Sequence, residues 1–212
     1  MKWPSIEELG SLVSLPQGYR FAELTQGNIA ELTERIRLWH PDIAVGAASC
    51  YLREDFYLKR VCLGNEVDRD ILVIPMMFQN ELIGIWSFER ETAALAIYGR
   101  LLIIAPKHRG ANLSSYLLKG TDLLGRHMGA AFMYALATLK IPHIQRALES
   151  AGYRLLGFFP GYDREEVAPG VIKRVYEAVY AKLLVPEDEV LRPDPKNLTP
   201  KSKALFDLLF TE

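Results

Sequence analysis

Apolar residues recur along the chain with two spacings, one typical of strands and one typical of helices. Residues 70–78 and 81–88 are nearly unbroken apolar runs on either side of a polar turn, which predicts a β-hairpin. Residues 113–128 carry leucines at helical spacing and predict an amphipathic helix. The other predicted strands are 19–24, 93–106, 130–137, 153–159 and 171–184, and the other predicted helices are 27–39, 49–63 and 143–151.

The predicted elements follow the order β-α-α-β-β-β-α-β-α-β-β. A strand–helix–strand crossover set among hairpins predicts an α/β (α+β) fold built on a mixed sheet. The composition changes after Leu184, where prolines and charges precede a short apolar segment. We therefore expect a domain at 1–184, followed at 185–212 by a proline-rich arm and a short C-terminal helix.

Composition and charge exclude several classes of protein. The 212 residues are 50% hydrophobic with a net charge of -1, which excludes a disordered chain and gives no basic field for nucleic acid. Apolar runs are of strand length and the N-terminus does not look like a signal peptide, so no membrane partner is expected. Two cysteines, Cys50 and Cys62, are too few for a disulfide framework or a Cys-ligated zinc site. We expect a cytoplasmic protein without a metal.

The junction at residues 101–118 has the composition of an anion-binding cradle. An apolar strand runs into Pro106, a basic loop follows, and the small residues Gly110 and Ala111 open the next helix. Small residues allow close backbone approach, and a helix N-terminus offers free N–H groups and a positive dipole end. An ordinary strand-to-helix turn has the same composition, so the residues alone leave both interpretations open.

The junction resembles motif A of the GCN5-related N-acetyltransferase (GNAT) superfamily. Arg109 and Gly110 match the Arg/Gln-Gly of that motif, while Asn112 and Ser114 stand where it usually has two further glycines. Residues 142–153 resemble the motif B helix, and residues 80–84 resemble the hairpin turn that precedes motif A. The three motifs occur in the family's order, and the resemblance spans residues 19–184.

The resemblance implies a mixed, mostly antiparallel sheet in which two parallel strands, 101–105 and 130–137, splay apart around acetyl-CoA. The backbone of Ile103 and Ile104 would pair with the pantetheine amides. The pyrophosphate would lie against the N–H groups of the loop and first helical turn, which belong to Arg109, Gly110, Ala111, Asn112, Leu113, Ser114 and Ser115.

The family's catalytic positions are changed in this chain. Leu148 stands where many members have a tyrosine that protonates the leaving thiolate, and Ile141 stands where motif B often opens with asparagine. Tyr98 stands at the place of the family's glutamate base and is a candidate acid; its alternative role is cross-strand packing. His143 is a candidate proton relay or a helix cap. His108 is expected to contact CoA or solvent.

Other side chains are candidates for receiving the acceptor amine. Glu89 and Glu91 end the hairpin before the site and either receive a cationic amine or form a solvated rim. Tyr176, Tyr180 and Lys182 share one strand face, which lines the acceptor pocket or is an exposed hairpin face.

The resemblance therefore predicts an acetyl-CoA-dependent N-acyltransferase that acts on a primary amine of a small molecule or peptide by direct attack in a ternary complex. The alternatives are a longer-chain acyltransferase, a CoA-binding regulatory module without catalysis, and a plain partner-binding domain. Phe206, Leu209 and Phe210 would dock on a second subunit, giving a homodimer, or on their own domain.

Overall fold

A computed structural model describes residues 1–210. Residues 211 and 212, the last two of the predicted C-terminal segment, lie outside the described residues. Within residues 1–210 the helices are α1 (Ile6–Leu12), α2 (Ile29–Trp39), α3 (Glu54–Arg60), α4 (Leu113–His127), α5 (His143–Ser150) and α6 (Pro200–Phe210). The strands are β1 (Tyr19–Phe21), β2 (Ile71–Phe78), β3 (Glu81–Glu91), β4 (Ala96–Ile104), β5 (Phe132–Thr138), β6 (Arg154–Ala168) and β7 (Val171–Leu183).

The described strands form a 7-stranded mixed sheet in the order β1-β2-β3-β4-β5-β7-β6. Neighbouring strands are antiparallel except β4 and β5, which α4 connects as a crossover. The predicted α/β (α+β) sheet, its central hairpin and its crossover are therefore confirmed.

Helices cover both faces of the sheet, because strand residues alternate between two apolar cores. On the side that we call face A, Leu9 of α1, Leu117 of α4 and Leu148 of α5 share a core with Ile97 and Met133. On the opposite side, face B, helices α2 and α3 pack on the other set of strand residues, which includes Val73, Ile85 and Ile103.

The parallel pair opens part-way along its length. β4 and β5 are paired from Ala96 with Phe132 to Gly99 with Ala135, and both strands continue without further pairing to each other. A β-bulge lies in the β3–β4 register at the same level, next to Ser87. Since a bulge bends its strand and increases the local twist, β4 leaves β5 here. We call the space between residues 100–104 and 136–138 the β4–β5 gap.

Several elements differ from the prediction. Helix α1 was not expected, although Ser5 and Glu8 form the capping box that begins it. The helix predicted at 49–63 is a 3₁₀ segment, Ala47–Leu52, followed by α3, because Arg53 between them is extended. Strand β6 continues well past residue 159, since bulges keep it paired with β7 as far as Ala168.

The C-terminal segment contains the predicted helix, α6. It follows two short 3₁₀ turns and has no buried residue among those described. The division of the chain at residue 184 stays a prediction. Among the described residues, no helix combines the length and apolar character needed to cross a membrane.

Candidate functional site

The β4–β5 gap exposes an unpaired stretch of β4 backbone. The N–H of Ala105 donates to the carbonyl of Ile83 in β3 (2.7 Å). Backbone groups of alternate residues point to opposite sides of a strand, so Ile103 also faces β3, its partner there being Ile85. Leu102 and Ile104 therefore present their N–H and carbonyl groups to the gap. Ile103 and Ile104 were the two residues predicted to pair with the pantetheine amides. The backbone of Ile104 faces the gap, whereas that of Ile103 is paired with β3.

The loop that follows β4 places free N–H groups at the end of the gap. Gly110 (φ 100°) and Asn112 (φ 57°) both adopt positive φ, and Asn112 is the N-cap of α4. The N–H of Ser115 donates to the Asn112 carbonyl (3.0 Å). Within the described residues, no backbone acceptor is bonded to the N–H groups of Gly110, Asn112, Leu113 and Ser114. These orphan donors lie at the N-terminus of a 15-residue helix, where the helix dipole favours an anion.

The other predicted loop residues have different roles in this structure. The N–H groups of Arg109 and Ala111 donate within the loop, to Pro106 (3.3 Å) and His108 (3.4 Å). The Nδ1 atom of His108 is hydrogen-bonded to the hydroxyl of Tyr19 (3.0 Å). Tyr19 of β1 therefore engages one ring nitrogen of His108, and the expectation that this partly exposed side chain contacts CoA or solvent stays a prediction.

The Arg109 guanidinium connects the loop to two other elements. Its Nε donates to the carbonyl of Ile104 (2.9 Å), and an Nη donates to the carbonyl of Trp39 at the end of α2 (3.0 Å). Arg109 thus occupies one of the carbonyls that face the gap.

On face B, the closed end of the gap carries a cluster of aromatic and charged side chains. The rings of Tyr98 and Tyr134 stack at 4.8 Å between centroids and 10° between planes. The Arg100 guanidinium lies 5.7 Å from the centroid of the Tyr98 ring and forms an ion pair with Glu89. The Tyr134 hydroxyl donates to Glu91. The stack gives Tyr98 the cross-strand packing role that the sequence left open.

Buried hydroxyls extend this cluster toward α3. Tyr51 and Ser87 share a hydrogen bond of 2.6 Å, and Arg100 Nε donates to the Tyr51 hydroxyl at 3.2 Å. Burial raises the pKa of Tyr51 to about 12. Burial also raises the pKa of Tyr98 above its ordinary value, and the nearby Tyr162 adds to the rise. Both phenols stay protonated at neutral pH and can donate hydrogen bonds.

Glu177 on β7 is a buried carboxylate that sequence reasoning missed. It is 8% exposed and lies opposite Thr138 of β5. Burial raises its pKa to about 7, and the like charges of Asp163 and Glu165 add to the rise. The available signal was a single acidic residue within the otherwise apolar run Val175-Tyr-Glu-Ala-Val.

Comparison with known proteins places this geometry in a fold family. No family model matches the chain, and no curated protein matches its sequence. Ribosomal-protein-S5-alanine acetyltransferase from Vibrio fischeri superposes with a TM-score of 0.61, covering 81% of this chain and 96% of its own at 10% identity. Spermidine N-acetyltransferase from Vibrio cholerae, in a dodecameric structure, gives 0.60 over 80% and 95% at 13% identity. A ribosomal α-N-protein acetyltransferase, RimL, gives 0.58 over 81% and 97% at 11% identity.

The chain has the GNAT fold. At these identities the likeness shows the architecture alone. The predicted family resemblance of the fold is therefore confirmed.

The two predicted catalytic residues, Tyr98 and His143, have different surroundings. Tyr98 lies at the closed end of the gap, on face B, beneath Arg100. His143 is exposed at the first turn of α5, and its ring makes no hydrogen bond within residues 1–210. The structure thus places only Tyr98 within the face B cluster. Leu148 is buried in the face A core, so it supplies apolar packing and no proton.

The strand face predicted to line an acceptor pocket lies on the other side of the sheet. Tyr180 belongs to the face A core, where its hydroxyl donates to Glu149 of α5 (2.7 Å). Lys182 on the same face forms an ion pair with Asp122 of α4 (2.5 Å). Because α4 and α5 cover face A, the odd-numbered residues of β7, including Glu177, face side B.

The residues at the gap fit acetyl-CoA. A pyrophosphate requires N–H donors and positive charge, which the α4 N-terminus, Lys107 and Arg109 supply. A pantetheine chain requires an unpaired strand edge, which the backbone of Leu102 and the N–H of Ile104 supply. In the part of the chain that the structure describes, no group of three His, Cys, Asp or Glu side chains is placed to hold a metal ion.

Proposed function

We propose that this protein is an N-acetyltransferase that transfers the acetyl group of acetyl-CoA to a primary amine of a small molecule or peptide. The observation that carries the proposal is the opening of β4 from β5 after Gly99 and Ala135, directly beside the free N–H groups at the start of α4. The GNAT architecture of proteins named as acetyltransferases supports the same reaction class.

Each part of acetyl-CoA has residues suited to hold it. The N–H groups of Gly110, Asn112, Leu113 and Ser114 would hold the pyrophosphate, and the backbone of Leu102 and Ile104 would pair with the pantetheine amides. This binding mode is that of an added strand, in which backbone hydrogen bonds align the chain along β4. When bound, acetyl-CoA supplies an activated thioester.

The acceptor amine would enter from face B beside β5 and β7, since α4 and α5 cover face A there and the face B helices α2 and α3 pack on β2, β3 and β4. Its nitrogen bonds to the thioester carbon, the carbon–sulfur bond breaks, and the nitrogen loses a proton while the sulfur gains one. Tyr98 is suited to donate a hydrogen bond to the sulfur, because its phenol is protonated at neutral pH and burial makes it reluctant to release that proton. The other residues of the gap and the loop would contribute to the rate by orienting the thioester and the amine.

Leu148 favours a second candidate function, a CoA-binding module without catalysis. This residue is buried in the face A core, and no phenol takes its place in α5. A module of this kind would bind acetyl-CoA through the same loop and release no thiol in the presence of amines. The two candidates therefore share the cofactor site and differ in turnover.

Calorimetric titration with acetyl-CoA, CoA and a long-chain acyl-CoA tests the shared site and the acyl class. Thiol release with a panel of amines then tests catalysis. Binding together with thiol release supports the transferase, and binding alone supports the module. Absence of binding to all three ligands contradicts both. Asn112→Gly is an informative variant, since glycine keeps the positive φ and removes a side chain beside the free N–H groups.

We further propose that α6 mediates self-association. Leu205 and Leu208 are 51% and 78% exposed on this helix. The related spermidine N-acetyltransferase structure is dodecameric, which supports an oligomer without identifying the contact. Sedimentation of the full chain and of Leu208→Asp should show a concentration-dependent oligomer that the substitution weakens. A monomer at all concentrations contradicts this proposal.

A further inference from the structure

Glu177 is a largely buried residue whose carboxylate lacks a partner within residues 1–210. The residue as a whole is 8% exposed and lies on face B. No residue that the structure describes gives it a hydrogen bond or an ion pair. A buried ionised carboxylate without a partner is costly. Such a group is expected where a ligand supplies the missing cation.

The charged groups that act on Glu177 are two carboxylates. Across the hairpin, Asp163 is paired with Val175 and Glu165 with Lys173, so both carboxylates share the face of Glu177. Asp163 accepts the N–H of Ala47 at 2.7 Å, which brings the α2–α3 connection over this region.

The nearest lysine is already engaged. Lys140, between β5 and α5, forms ion pairs with Glu165 (3.0 Å) and with Asp42 (3.3 Å). Glu177 and Asp163 therefore leave an uncompensated negative charge on face B, beside the end of β5.

The position of Glu177 relative to the gap determines which group it can bind. β7 lies on the far side of β5 from the gap, so β5 stands between Glu177 and a thioester held along β4. Thr138, opposite Glu177, is three residues beyond Ala135, or about 10 Å along the strand. The middle of the gap is about one and a half strand spacings from β7. Glu177 and a group held in the gap are therefore at least about 7 Å apart across the sheet. The reacting nitrogen is thus out of direct reach of this carboxylate.

We propose that Glu177, with Asp163, binds the distal ammonium group of a diamine whose other amine reaches the β4–β5 gap. This inference rests on the proposed transferase function and names the class of its acceptor: an alkyl diamine or a longer polyamine with at least about 7 Å between its nitrogens. A monoamine would lack the group that Glu177 binds.

The test compares 1,5-diaminopentane with 5-amino-1-pentanol, which has the same chain length and a hydroxyl in place of one amine. We expect the wild-type protein to favour the diamine at least tenfold in kcat/KM, a typical effect for a charged contact. Glu177→Gln should remove this preference by lowering kcat/KM for the diamine alone. Glu189→Gln, an exposed carboxylate after β7, is the matched control and should keep the preference.

Two outcomes would overturn the inference. One is equal use of both amines by the wild-type protein. The other is an equal loss for both amines in Glu177→Gln, which would indicate a role in proton transfer.

The outcome remains decisive if neither amine is acetylated. Acetyl-CoA titration then judges the proposed function, and titration with 1,5-diaminopentane alone judges this inference. If the wild type binds the diamine and Glu177→Gln does not, the ammonium site at Glu177 is supported even in a non-catalytic module. Absence of diamine binding to the wild-type protein contradicts it.

Discussion

The Nε of Arg109 donates a hydrogen bond to the carbonyl of Ile104, 2.9 Å away. This contact connects the anion-binding loop to the one carbonyl at the end of β4 that faces the gap. The same guanidinium also donates to the carbonyl of Trp39, so it joins β4 and the end of α2 to the loop.

Arg109→Ala should weaken acetyl-CoA binding about tenfold, since a charge-assisted contact to phosphate is lost. Two exposed hydrogen bonds to backbone carbonyls disappear as well, so the free energy of unfolding should fall by about 1 kcal/mol. Calorimetry and urea unfolding measure the two effects. Unchanged affinity together with a large loss of stability would make Arg109 purely structural.

The ion pair between Arg100 and Glu89 should be important for stability. The two side chains are 20% and 22% exposed, and Arg100 also bonds to the buried Tyr51 hydroxyl. Glu89→Gln leaves the guanidinium partly buried without its full counter-charge and should cost about 1–3 kcal/mol.

The α6 ion pair of Lys203 with Asp207 is a control for the Glu89 variant. Its side chains are 49% and 48% exposed, so Asp207→Asn should cost less than about 0.5 kcal/mol. Urea unfolding of both variants makes the comparison. Equal effects would mean that the Arg100 pair is screened by solvent like the one on α6.

Tyr98→Phe should lower kcat by about a hundredfold while leaving KM for acetyl-CoA unchanged, because removing one hydrogen-bond donor to developing charge costs on that order. Phenylalanine keeps the stack on Tyr134 and removes only the hydroxyl. His143→Ala provides the comparison for the other predicted catalytic residue, which lies exposed at the start of α5. Initial rates of thiol release measure both. Unchanged kcat in Tyr98→Phe would leave Tyr98 with a packing role alone.

Glu177→Gln should stabilise the protein at about pH 8 and have little effect near pH 4. The folded-state pKa of about 7 lies above the ordinary value of 4.5, so wild-type stability is full below 4.5 and is lost as pH rises toward about 7. Because solvent screens the carboxyl in part, the shift corresponds to a difference of at most about 3 kcal/mol.

Unfolding of the wild type and Glu177→Gln across this pH range measures that difference. Asp163, Glu165 and Lys140 face Glu177 and are common to both proteins, so the difference isolates the one carboxyl. A pH-independent difference would show that Glu177 does not titrate in this range. Addition of 1,5-diaminopentane at about pH 8 should stabilise only the wild type.

Much of the fold followed from local patterns in the sequence. The β2–β3 hairpin was predicted because two apolar runs flank a polar turn, and α4 because its leucines recur at helical spacing. The crossover between β4 and β5 followed from the order of these elements, and the loop with Gly110 and Asn112 from its small and basic residues. Helix α1 was missed although Ser5 and Glu8 are a local signal, since the segment has few apolar residues.

Only the tertiary structure decided which side chains meet. Strand alternation assigns Glu177 and Tyr180 to opposite faces, but which face remains open depends on where α4 and α5 pack, and that contact joins distant parts of the chain. The same holds for Arg100, whose partners Glu89 and Tyr51 come from two other elements. The sequence thus determined most of the elements and the composition of the loop before α4, because both depend on neighbouring residues. The burial of Glu177 and the network around Arg100 depend on long-range packing, which local spacing does not encode.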